Sequence, residues 1–112
     1  MDWKTQLKNE LQMAADSRAI KNEGKARVCA RRAAGVAIRE YLTRQGIKPP
    51  SISAYDLLKV LEEMDETSPE IRQASAYLRL RVTEEFRLPV DVDLVAEAKN
   101  ICSALLPEWE ES

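Results

Sequence analysis

Three features of this sequence predict an all-α fold. Apolar residues recur at spacings of three and four throughout, never in the strict alternation of a half-buried strand. Glycines and prolines punctuate the chain so that segments of helical length lie between them. Several of those segments open on serine or aspartate, the side chains that accept hydrogen bonds from the first free amides of a helix. Short connections between long amphipathic segments predict an up-and-down bundle of four main helices plus a shorter fifth. The 112 residues form one domain, 1–112, large enough for a single core and too small for two.

Each element has its own signals. Helix one runs from Asp2 as N-cap to about Asn22, with Trp3, Leu7, Leu11, Ala14 and Arg18 along its stripe and Gly24 placed to end it in the left-handed conformation. Helix two occupies GKARVCARRAAGVAIREYL and stops near Gly46, ahead of Pro49 and Pro50. Helix three starts at Ser53, with Asp56 three residues on and with Ile52 and Leu57 in the positions of a hydrophobic staple; Leu57, Leu58, Leu61 and Met64 point inward. Ser68 followed by Pro69 opens helix four, which proceeds through Ile71, Ala74, Leu78 and Val82 to about Phe86, before Pro89. Asp91 or Asp93 caps helix five, whose Leu94, Val95, Ala98, Ile101, Cys102, Leu105 and Leu106 keep a helical stripe up to Pro107. A short acidic tail follows from about residue 107.

Composition narrows the chemistry. At 45% apolar and 32% charged residues, with no apolar run near the roughly 18 residues a membrane span requires, the chain reads as soluble. Its N-terminus lacks the hydrophobic stretch of a secretory signal, and Cys29 and Cys102 fall in apolar helical patterns suited to buried thiols of a reducing compartment. A cytoplasmic protein without membrane contact is expected. Histidine is absent, which excludes histidine-based acid/base catalysis, Ser/His/Asp or Cys/His triads and histidine-ligated metals. Neither GxxxxGK[ST] nor GxGxxG occurs. No catalytic residue, metal site or cofactor is assigned.

Helix two carries the main anomaly. Ala30, Ala33, Ala34, Ala37 and Tyr41 share a face on which a neighbour can approach closely, and Gly35 in mid-helix suits such an approach or simply faces solvent. Arg32 and Arg39, with Thr43, fall on a narrow polar arc that fits a solvated face. Arg27 and Arg31 sit at the edge of the apolar face, where a guanidinium must reach water, pair with an acidic residue at the end of helix three, or hold an external anion. Residues 18–48 hold nine basic and two acidic side chains, whereas residues 49–112 hold six and fourteen. Such segregation suits a polyanion docked on the basic side, or two copies docked basic to acidic. Lys25, Arg27, Arg31, Arg32 and Arg39 are therefore the candidate anion- or nucleic-acid-binding residues. On helix four, Glu85 points along the apolar stripe beside Arg81, while Tyr77 and Leu80 face away from it and form a candidate dimer or partner surface. In an up-and-down bundle helices two and four run parallel, which places the first arginines of helix two at the opposite end from Glu85.

The ARRAAG helix, the LRLRVTEEF helix end and the closing AEAKNICSALL helix together resemble the HEPN-like group of small prokaryotic helical bundles, over most of residues 1–106. The resemblance implies an up-and-down bundle, usually a homodimer, from a group that includes toxin ribonucleases, partners of minimal nucleotidyltransferases and noncatalytic binding members. Ribonucleolytic members carry an arginine followed four to six residues later by histidine. Arg79 or Arg81, with Glu85 nearby, occupies the matching position here, and no histidine follows. The expected function is a noncatalytic, dimerising module that binds a protein or RNA partner, in a system of the HEPN and nucleotidyltransferase type. The alternatives are a nucleic-acid-binding protein using the basic helix at 25–44, or a divergent nuclease using Arg81 and Glu85.

Overall fold

The computed structural model describes residues 2–80 and 91–111, and every regular element among them is helical. Five α-helices follow in order: α1 (Trp3–Ala19), α2 (Glu23–Arg44), α3 (Ala54–Glu63), α4 (Pro69–Arg79) and α5 (Leu94–Leu105), then a 3-10 turn, Pro107–Glu110. None of them is long and apolar enough to cross a membrane.

Helices α2 to α5 form a ring in which each packs on the next and α5 closes back on α2, while α1 lies outside against α2. Successive helices reverse direction within each hairpin. The Arg44 guanidinium stacks 5.2 Å from the Trp3 ring while Arg18 meets Glu23, and across the next hairpin Ser75 donates its hydroxyl proton to the Leu58 carbonyl at 2.6 Å. The ring encloses the larger core, built on Cys29, Ala34, Ile38, Leu57, Leu61, Leu78, Ala98 and Ile101. A second core gathers Leu7, Leu11, Ala33, Ala37, Cys102, Leu106 and Trp109 beneath α1. The expected all-α fold class therefore holds, and the helix that lies outside the ring is the 17-residue α1.

Start signals are the most local, and they work as the sequence implies. Asp2 accepts from the Thr5 amide at 2.7 Å, Ser53 from Asp56, Ser68 from Ile71 ahead of Pro69, and Asp93, not Asp91, from Val95 and Ala96. Ends differ more. Gly24 does not close α1, because Asn22 caps α2 by accepting from the Lys25 amide at 3.1 Å, which draws Gly24 into that helix. Lys21 takes the left-handed conformation instead, at φ 61, with Asn22 N–H bonded to Ser17 O and Lys21 N–H to Arg18 O in a Schellman turn. Gly46 plays that part at the end of α2, at φ 74, as its position implies. The acidic tail is not free: Trp109 is buried, Arg44 pairs with Glu108 at 2.5 Å, and Lys8 donates to the Glu111 carbonyl at 3.0 Å.

One ion cluster ties three helix ends together. Arg18 donates Nε and Nη2 to the two oxygens of Glu23, at 2.9 and 2.6 Å, and reaches Asp93 at 3.0 Å. The hydrogen bond from Arg18 outweighs burial and holds the Glu23 carboxyl below its ordinary 4.5. Burial works upward on Asp93, but the Arg18 hydrogen bond and the α5 amides bring it below its ordinary 3.8. Folding gains from both carboxylates above their unfolded values and loses that gain as pH falls through the lower folded values.

Two outcomes are expected. Lys21→Gly should raise the unfolding free energy by about 1 kcal/mol by removing the left-handed cost of a side chain, and Gly46→Ala should lower it by about as much; thermal melts of the two variants check this. Urea midpoints should decline below about pH 4, with a shallower decline in Arg18→Met, since that variant has lost the interaction that acid removes.

Candidate functional site

Helices α1 and α3 both lean on α2 without packing extensively against each other, so one strip of α2 stays open between them. Val28, Arg32, Val36 and Arg39 succeed one another along that strip at spacings of four, four and three. Apolar and cationic side chains thus alternate along a single line of the helix. Gln6, Glu10 and Met13 of α1 make one wall of the groove, and Ile52 and Tyr55 at the start of α3 make the other, around a volume of about 690 Å³.

Its floor is set by Gly35, which is buried. A Cβ there would lie 3.3 Å from Ala54 Cβ and 3.4 Å from Ala54 Cα, so the glycine admits the first residue of α3 against the α2 backbone. Close approach, and not solvent, accounts for the mid-helix glycine. Ile52 departs from expectation. It forms no staple with Leu57, which turns into the core, and is 87% exposed at the groove's edge. Met13 at 39% and Val28 at 41% are also exposed, so the groove carries much of the exposed large apolar surface of the described residues.

The five candidate cations divide. Arg31, Arg32 and Arg39 line the groove; Lys25 and Arg27 do not, and Arg27 sits 4.0 Å from Glu23 one turn back on its own helix. Arg31 is buried. Its Nε donates to the Leu78 carbonyl and its Nη2 to the Leu80 carbonyl, both at 2.8 Å, and its guanidinium lies 5.5 Å from the centre of the Tyr55 ring. Its described bonds cap the C-terminus of α4, where unpaired carbonyls and the negative end of the helix dipole meet the charge. Arg31 therefore reaches the end of α4 at Leu80, while Glu85, from which the sequence separates it, lies outside the described residues. The same contact accounts for the early end of α4: the helix stops at Arg79, and Leu80 is extended with its carbonyl turned to Arg31. Arg39 donates to Gln6 at 3.3 Å across the groove, and Arg32 is exposed with no ion pair or hydrogen bond among the described residues. Opposite them, one oxygen of Glu10 is closed off from solvent without a hydrogen-bond partner among the described residues.

Other sequence-derived candidates lie elsewhere. Arg79 pairs with Glu62 of α3, while Arg81 and Glu85 fall outside the described residues. Tyr77, which packs on the larger core, and Leu80 are both half-buried; among the described residues the exposed large apolar side chains are Met13, Ile20, Val28, Ile47 and Ile52. Both thiols are buried. Burial raises Cys29, with the Glu10 charge adding to it, and pushes Cys102 up to about 12, which leaves neither as a ready thiolate. No group of three metal-ligating side chains occurs among the described residues. What the groove offers chemically is recognition, by guanidinium groups set between apolar contacts.

In comparison with known proteins, the chain matches no family model, no curated protein and no solved structure.

Separate roles for neighbouring arginines can be measured. Arg31→Met leaves two carbonyls at the α4 end without their donor and should cost about 2–3 kcal/mol in urea unfolding, whereas Arg32→Met should stay within about 0.5 kcal/mol of the parent.

Proposed function

We propose that this protein is a noncatalytic helical-bundle module that recognises a protein partner through the groove between α1, α2 and the start of α3. The observation that carries the reading is the alternation of Val28, Arg32, Val36 and Arg39 along the open strip of α2. Nucleic-acid affinity grows with the number of cations free to meet phosphates, and single strands add stacking on exposed rings. Here Arg31 is spent on α4, Arg27 leans toward Glu23, and Tyr55, the one aromatic lining residue among the described residues, already faces Arg31. A carboxylate-bearing protein surface with apolar side chains meets the groove better than RNA does. The reading keeps the noncatalytic side of the HEPN-like resemblance. Homodimerisation and a cytoplasmic location remain parts of the proposal, with Tyr77 and Leu80 as the candidate dimer surface, and sedimentation at high micromolar concentration, expected to give twice the chain mass, tests the dimer.

Charge reversal tests the groove. Arg32→Glu with Arg39→Glu is expected to keep the parental circular dichroism and melting point, yet to lose the protein that the tagged parent retains from a lysate of its source cells treated with ribonuclease. Retention unchanged by the reversal, or abolished in the parent by ribonuclease, overturns the reading.

A further inference from the structure

We infer that the groove receives an acidic amphipathic α-helix of the partner, with two carboxylates seven residues apart and apolar side chains between them. The inference rests on the protein-docking reading and specifies the shape and charge pattern of the occupant. Arg32 and Arg39 are seven residues apart on one helix, hence about 10.5 Å along its axis. A second helix laid along the strip has the same rise, so carboxylates at i and i+7 fall opposite both guanidinium groups. Residues at i+3 and i+4 then fall opposite Val36, between Met13 and Ile52.

Extended chain does not satisfy this spacing. At about 3.3 Å per residue, a strand covers about 10 Å in three residues, and side chains three apart point to opposite faces. Spacings of two or four residues restore the common face but miss the arginine separation by about 4 and about 3 Å respectively. Nor does the protein present a sheet edge for strand addition among its described residues, all of whose regular elements are helical. A whole helix cylinder is about 10 Å across, so a volume of about 690 Å³ takes the side chains of one helical face and leaves the opposite face in water. Glu10, on the α1 wall, repels a carboxylate on that side and sets the partner's acidic stripe toward α2. Arg39 keeps further donors after its bond to Gln6, and Arg32 is exposed.

The experiment uses three synthetic peptides of 18 residues with the full-length ¹⁵N-labelled chain. The first carries Glu at i and i+7 with Leu at i+3 and i+4 in an Ala/Gln background. The second has the same composition and helicity with the second Glu moved to i+5, on the far face; the third is the first with proline at its centre. The first should shift the amides of Val28, Arg32, Val36 and Arg39, gain helical circular dichroism on binding, and bind about tenfold tighter than either control, as two exposed charge pairs allow. Arg32→Glu with Arg39→Glu should erase that difference, and Val28→Glu supplies a second groove variant should the double reversal unfold. Equal affinity of the three peptides at the groove overturns the helical occupant while leaving the groove reading intact. Groove amides that ignore all three peptides, in a protein whose copurifying partner is still lost on charge reversal, overturn the inference alone. A single-stranded RNA that shifts the same amides at lower concentration than the first peptide overturns both.

Discussion

The short side chains of α2 are the constraint from which the rest of the structure follows. Ala26, Ala30 and Ala34 face the larger core, Ala33 and Ala37 the smaller, and Gly35 meets the start of α3, all of them buried. Because these residues project so little, α1, α3 and α5 all pack directly on one helix. Larger side chains at these sites would separate the neighbours and divide the two cores. Packing on three sides also limits where charge can go. Arg32 and Arg39 lie in the one strip between α1 and α3, so the groove and its cations share a cause: they are what remains of α2 once its alanines have drawn three helices in.

Arg31 shows how the same packing consumes a charge. It stands one residue before Arg32 in sequence, yet the 100° step between them carries it under Tyr55 and against the carbonyls of Leu78 and Leu80. Burying a guanidinium is costly, and the C-terminus of α4 offsets part of that cost with oriented carbonyls and a partial negative charge. The groove is thus lined by one buried arginine and by two more exposed ones. In the proposed reading recognition falls to Arg32 and Arg39, whose donors are less committed within the chain.

Sequence pattern reveals what depends on neighbours in sequence and conceals what depends on neighbours in space. The caps at Asp2, Ser53, Ser68 and Asp93 and the inward stripes of α3 and α5 were readable because each rests on residues within a turn or two. The end of α4 was not, since Arg31 that caps it stands 47 residues before Leu78. Nor was the order of 107–111: an acidic stretch after a proline looks like a tail until Trp109 is seen filling the space between α1 and α5. Gly24 misled because a nearby asparagine was the stronger signal, able to begin one helix before the glycine could end another.

The groove was half visible for the same reason. Arg32 and Arg39 could be placed on one arc of α2 from their seven-residue spacing, and on an isolated helix that arc is a solvated face. Its meaning changes only when two walls stand beside it, and the walls come from residues 6–13 and 52–55, remote in sequence from the strip and from each other. Ile52 carried the one local signal: a staple isoleucine that finds no partner is left facing outward, 87% exposed in the lining of the groove. Exposure of that kind weakens solubility and adds nothing to the core. In the proposed reading, Ile52 at the rim of the cationic groove excludes water from the charges that share its lining and makes their contact with a carboxylate stronger than it would be on an open surface.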